Sequence, residues 1–315
     1  MFPDFVDWAA DRIPLVDPPA MAASYRFADT AWVELAAAVR ARPGTVEAYA
    51  IGESHRGEPI WAFDVSDPGT VPEREVLVFA GIHALEWIST EVALDVLHEW
   101  IALPPPGVRL TVVPILNPDG RRRVEGDLVV GANTYRRGNQ GNVDLNRDFD
   151  VNREAVAVWK AVIPARYGTS AAALSQPESR ALDSLANERR FDRAASLHAF
   201  GGYLYHPWSG RWARPPDYLD LHRLGREMET AQAGHAYRTR QLSRWGFFFR
   251  AHGTEIDHLY GKYGTSAWLI ELTRSGLQPG KRDGMRAFFR WYNPERSTAH
   301  RQRGVAGVRA LALAP

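Results

Sequence analysis

An α/β fold, with a parallel or mixed sheet covered by helices, is predicted by three observations on this 315-residue chain. Short runs at 57–65, 75–79 and 109–116 have the length and the β-branched or aromatic content of strands. Between the last two lies a longer segment, 86–102, whose apolar spacing suits a helix. A strand, helix, strand succession of this size is what parallel pairing requires, because neighbouring parallel strands need a long crossover. With 45% hydrophobic residues and eleven tryptophans, the chain can bury a sizeable core, so one domain over 1–315 is expected rather than a string of modules.

Taken in order, residues 30–42 form the first clear helix: alanines alternate with Leu35 and Val39 on one packed face, and Pro43-Gly44 ends it. Residues 1–47 are read as an extension packed on the domain, too short for a separate inhibitory unit. The strands at 57–65 and 75–79 are separated by the Asp67-Pro68-Gly69 turn. Pro104 to Gly107 delivers the chain from the helix to the strand at 109–116. From 117 to 147 the sequence is rich in Asn, Asp, Gly and Arg without apolar periodicity, and a long loop at one end of the sheet is expected. Helices are expected over 153–163, 176–188 and 217–234, inner strands over 195–199 and 266–273, and a terminal tail over 295–315.

Composition excludes several classes of function. Thirty-eight basic and thirty-seven acidic residues leave a net charge of +1, so no global field draws nucleic acid or an anionic membrane. The absence of cysteine removes disulfides, thiolate metal sites and cysteine nucleophiles together. There is no basic, apolar leader at the start and no run long enough to cross a membrane, so a cytoplasmic location is expected. Nothing in the pattern fixes an oligomeric state.

Chemistry concentrates in a few places. His83 and Glu86, three positions apart after an apolar run, can share one side of a turn or helix start. His198 follows a second apolar run, and neighbouring strand ends can bring such distant positions together. Two imidazoles and a carboxylate are a known catalytic zinc set when one coordination position stays open. Glu271 interrupts Ala267-Trp-Leu-Ile-Glu-Leu272, where a buried charge is costly unless it is paired or faces a functional mouth. It reads equally well as a proton-handling carboxylate or as half of a salt bridge. His98 reads as structural or surface polar; His252 and His258 have no ligand spacing.

Five blocks together carry a resemblance: Gly81-Ile-His-Ala-Leu-Glu-Trp-Ile-Ser89, Leu116-Asn-Pro-Asp-Gly120, Val143-Asp-Leu-Asn-Arg-Asp-Phe149, Ser196-Leu-His198 and Leu269-Ile-Glu-Leu272. The chain resembles the zinc carboxypeptidase family represented by pancreatic carboxypeptidase A, whose two-His, one-Glu site is the standard example of this zinc set. The resemblance implies a mixed eight-stranded sheet with helices on both faces. It also implies one Zn2+ per chain on His83, Glu86 and His198, Glu271 as the catalytic carboxylate, Arg136 as the oxyanion-stabilising cation, and Asn146 with Arg147 on a substrate's terminal carboxylate. The implied partner is a peptide with a free C-terminal carboxylate.

Three departures from the family pattern stand out. Leu85 replaces the usual arginine between the first two ligands. Phe249 falls where a substrate-covering tyrosine is expected, with Tyr260 and Tyr263 as possible substitutes. At the specificity position stands Ile256, which favours an apolar or aromatic terminal residue, while neighbouring Glu255 would redirect preference toward a cation. A zinc amidohydrolase acting on an N-acyl amino acid or a cell-wall-like peptide, and a non-catalytic peptide-binding module, remain alternatives to a carboxypeptidase.

Overall fold

The computed structural model describes residues 2–154, 170–246, 249–274 and 287–315. The strands are β1 (Val46–Glu53), β2 (Pro59–Val65), β3 (Arg74–Phe79), β4 (Val108–Val113), β5 (Arg193–Ala199), β6 (Tyr203–His206), β7 (Arg238–Gln241) and β8 (Ser266–Leu272). They form one eight-stranded sheet in the order β1, β2, β4, β3, β5, β8, β6, β7. The four central strands run parallel, while β1, β2 and β6 each pair antiparallel with a neighbour. The mixed sheet expected from the resemblance is therefore present.

Period-two alternation sends successive strand residues to opposite faces, and both faces are apolar because both are covered. Val76 and Val78 of β3 join the core on one face, Leu77 and Phe79 the core on the other. The first face is covered by α1 (Phe5–Ala10), α2 (Ala28–Ala41), α3 (Trp87–Ala102), α6 (Tyr218–Ala231) and the long C-terminal helix (Thr298–Leu313). The second is covered by α5 (Pro177–Arg189) and α7 (Glu255–Tyr263), through Leu182, Leu185, Ile256 and Leu259. The leading segment is tied down by aromatic packing: the Phe5 ring meets Trp61 at 5.0 Å and Phe63 at 4.8 Å between centroids.

One expectation fails clearly. The first part of the loop anticipated over 117–147 is a helix, α4 (Pro118–Val129). Asn117 caps it by accepting a hydrogen bond from the Gly120 N–H, and Pro118 occupies the first turn, where a missing N–H costs nothing. Its buried side is largely polar, with Arg121 against Glu125 and over the Trp87 ring, which is why no apolar period announced it. The helix expected over 153–163 falls, from residue 155 onward, outside the described residues. Among the described residues, no helix is long and apolar enough to cross a membrane.

Candidate metal centre

The chain leaves β3, crosses through α3 to β4 on one side, and returns with β5 on the other side of β3. The carboxyl ends of strands at such a reversal form a crevice, and side chains placed there converge. His83 lies just beyond β3, on a turn that Gly81 opens with φ of 66°; a Cβ at Gly81 would sit 3.1 Å from the Ile115 Cα. Glu86 is the residue before α3, and His198 stands in β5 directly opposite Glu271 of β8.

These positions bring three donors together. His83 Nδ1 is 2.8 Å from Glu86 Oε1, His198 Nδ1 is 3.2 Å from Glu86 Oε2, and the two Nδ1 atoms are 3.1 Å apart. The ligand atoms all lie within 4.8 Å of one another, and all three side chains are buried. The outward nitrogens fit the same purpose. His83 Nε2 donates to Asp144 Oδ1 and His198 Nε2 to Glu255 Oε1, each at 3.0 Å. A carboxylate on Nε2 holds a proton there and leaves Nδ1, facing the centre, as the nitrogen from which a metal ion would displace the other proton. A nitrogen and oxygen donor set of this kind suits zinc.

The electrostatics is that of a buried charge cluster. Burial would raise the Glu86 carboxyl, but His83 and His198 beside it hold it well below the usual range. For His198 the sign reverses: burial opposes the charge, yet Glu255 and Glu86 lift the imidazole to about 10. Glu271 is pushed up to about 8, first by burial and then by the Glu86 charge. Its Oε2 finds no hydrogen-bond partner among the described residues. Gly201 allows Glu271 this position, since a Cβ there would lie 3.0 Å from the Glu271 Cβ.

One cavity of about 140 Å³ is lined by His83, His198, Glu271, Asn146, Arg147, Arg137 and Tyr292, with Ala199, Phe200, Leu242, Phe249, Ala251, Thr254 and Leu269 also in its wall. A larger groove of about 490 Å³ holds Arg226, Glu229 and Arg238. There Glu229 already pairs with both arginines, and none of the converging donors takes part.

Several sequence expectations need correction. Arg136 is not brought to the centre, because its guanidinium lies against Asp127 through two hydrogen bonds. Its neighbour Arg137 faces the centre instead, with Nε 2.8 Å from Asp144 Oδ2 and Nη1 3.3 Å from Glu86 Oε1. Ile256 is sealed in the core and does not line the cavity. Glu255 turns to His198 and so cannot greet a cationic side chain in the wall. Leu85 packs into the core. Tyr260 and Tyr263 are committed elsewhere, to Asp217 and Asp183, whereas Phe249 does line the cavity. His258 bonds Asp183 at 2.7 Å, and His252 contacts the Asn152 carbonyl.

Sequence reasoning missed Asp144, Arg137 and Tyr292. Asp144 had a usable signal: it is a carboxylate two residues before Asn146 in one of the five blocks that carry the resemblance, and metal-bound histidines seek such carboxylates. Tyr292 had none, since its segment carries no motif.

A family model described as zinc carboxypeptidase matches residues 32–285. Carboxypeptidase SOL1 of Arabidopsis thaliana is 29% identical over 174 residues, covering 51% of this chain and 30% of that protein. Carboxypeptidase B of Helicoverpa zea is 26% identical over 189 residues, covering 55% and 44%. The matches thus span half or less of these relatives' own lengths. Among solved structures, bovine thrombin-activatable fibrinolysis inhibitor, in complex with tick carboxypeptidase inhibitor, superposes with a TM-score of 0.74 at 20% identity. That superposition covers 91% of this chain and 96% of the other.

Proposed function

Because the chain belongs to the zinc carboxypeptidase family, we propose that it removes the C-terminal residue of a peptide, with one zinc ion held by His83, Glu86 and His198. The observation that carries this reading is a single cavity in which the donor histidines, Glu271, Asn146 and Arg147 all meet. When bound, zinc supplies Lewis-acid polarisation of the carbonyl and lowers the pKa of a coordinated water.

The protein's own residues do the rest. Arg147 grips the terminal carboxylate, where a guanidinium offers paired, directional donors that an ammonium lacks, and Asn146 adds an amide donor. That grip restricts cleavage to the last peptide bond. Arg137 faces the charge that develops on the carbonyl oxygen. Glu271, in the cavity wall with its Oε2 unpartnered among the described residues, takes the proton of the attacking water and passes it to the leaving nitrogen. Leu242, Phe249, Ala251 and Leu269 supply no charge to the cavity wall, which supports an apolar or aromatic terminal residue.

The test is mass spectrometry of products from a peptide library offered with free and amidated C-termini to protein of known zinc content. Release of single apolar residues from free termini alone is expected. Equal cleavage of amidated peptides would point to an amidohydrolase, and binding without hydrolysis to a peptide-binding module.

A further inference from the structure

Among the described residues, the cavity contains one hydroxyl-bearing aromatic that the mechanism above does not use. Tyr292 ends the short helix α8 (Phe288–Tyr292), which follows β8 in the chain, and it lines the same cavity as Arg137 and Glu271. The next residue fastens it in place. Asn293 Nδ2 donates to the Leu85 carbonyl at 2.7 Å, and its Oδ1 accepts from the Ile88 N–H at 2.9 Å. Leu85 lies between His83 and Glu86 and Ile88 in the first turn of α3 just after them, so the phenol is tied to the same stretch of backbone as two of the candidate metal ligands. Its ring packs on Phe200 at 5.1 Å, and the residue is 5% exposed.

A buried phenol normally has a committed partner. Here the Tyr292 hydroxyl donates to the hydroxyl of Tyr135 at 3.2 Å. Two hydroxyls that share one hydrogen bond keep one O–H between them uncommitted. Tyr135 is 38% exposed, so its hydroxyl can exchange that contact for water when Tyr292 finds a better acceptor. Arg137 lies close enough to both phenols for the charges to interact. In the reaction proposed above the scissile carbonyl is drawn toward Arg137, which would bring an acceptor into this corner of the cavity.

We propose that the Tyr292 hydroxyl donates a hydrogen bond to the carbonyl oxygen of the bond being cleaved, beside Arg137, with Tyr135 holding the hydroxyl until substrate arrives. This rests on the carboxypeptidase reading above. No bond to Tyr292 forms or breaks; it contributes a donor whose value grows as charge develops on the oxygen. Burial keeps the phenol protonated, and so a donor, far above neutral pH.

The test compares Tyr292→Phe and Tyr135→Phe with the parent, all zinc-loaded and checked for zinc content and thermal midpoint. Phenylalanine preserves the ring packing in each case. On an N-blocked dipeptide ending in leucine, Tyr292→Phe should lower kcat about ten- to a hundredfold with KM little changed. Tyr135→Phe should lose clearly less. Calorimetry with a dipeptide phosphonate, whose tetrahedral oxygens stand in for the attacked carbonyl, should show binding weakened by a similar factor in Tyr292→Phe, while affinity for free leucine is unchanged. Equal losses in both variants would reduce the pair to a loop brace and overturn the proposal, as would unchanged kcat and phosphonate affinity. A parent that binds the phosphonate but cleaves no peptide sinks the proposed function instead, and the phosphonate affinities then decide the role of Tyr292 alone. A parent that neither binds nor cleaves overturns both.

Discussion

If the proposed peptide cleavage is right, exchanging one arginine of the pair Arg136 and Arg137 should cripple it, and exchanging the other should not. Arg137 bridges two carboxylates of the centre, Asp144 and Glu86, whose side chains are 8% and 2% exposed. Removing its charge outright would leave both without that cation, a loss of about 3–5 kcal/mol when a buried pair is broken. Alanine would therefore confuse folding with chemistry. Lysine keeps the charge but loses the planar fork that reaches the acids and the substrate oxygen together. Loss of one oxyanion donor typically costs about a hundredfold in kcat, equivalent to roughly 2.7 kcal/mol. Arg137→Lys should fall by about that factor in kcat/KM while retaining zinc. Arg136 pairs with Asp127 at side-chain exposures of 25% and 17%, on the periphery. Arg136→Ala should remove about 1 kcal/mol of stability at most and leave kcat/KM within about twofold. Steady-state kinetics on a peptide with a C-terminal leucine, alongside metal analysis and thermal melts, reads both variants. If Arg136→Ala loses as much activity as Arg137→Lys, the assignment of Arg137 to the centre is wrong.

Three further outcomes follow from the same geometry. Glu271→Gln should keep its zinc yet lose about 10²–10⁴-fold in turnover, the range for a missing general base; near-normal turnover in zinc-loaded protein would refute its role. Gly201→Ala would press a methyl group to 3.0 Å from the Glu271 Cβ, and a displaced carboxylate should cost tenfold or more in kcat with little change in melting temperature; unchanged kcat would show that the contact relaxes harmlessly. His206, buried and depressed to about 4 by desolvation, should make the protein lose stability as pH falls from 6.5 toward 4, because the unfolded chain binds the extra proton across that window. Denaturant midpoints measured from pH 7 to 4 should show a flatter acid limb in His206→Phe; an identical slope would remove His206 as a contributor.

The parts of the fold visible in the sequence are those whose periodicity is carried by large apolar side chains. β3 and α3 are of this kind, because both are buried almost throughout. β1 escaped notice because it is an edge strand that is mostly half-buried, with alanines and a glycine and no clean alternation. α4 was hidden by its buried polar face, since Asp119, Arg121 and Glu125 satisfy one another and nearby backbone rather than forming an apolar stripe. At the centre, the three donors were legible because strand ends restrict where histidines can converge. Which of two adjacent arginines faces inward was not legible: both have the same composition and charge, and only the path of the chain past Asp127 and Asp144 separates them. The same holds for Glu255 and Ile256. As the first two residues of α7 they point in different directions, one to His198 and one to the core, and neither to the cavity wall.

The most direct measurement is anomalous diffraction at the zinc edge from crystals of the zinc-loaded protein. A single peak at about 2.0–2.2 Å from His83 Nδ1, His198 Nδ1 and a Glu86 oxygen is expected. Zinc-saturated crystals without a peak between those three side chains would contradict the assignment of the metal to this centre.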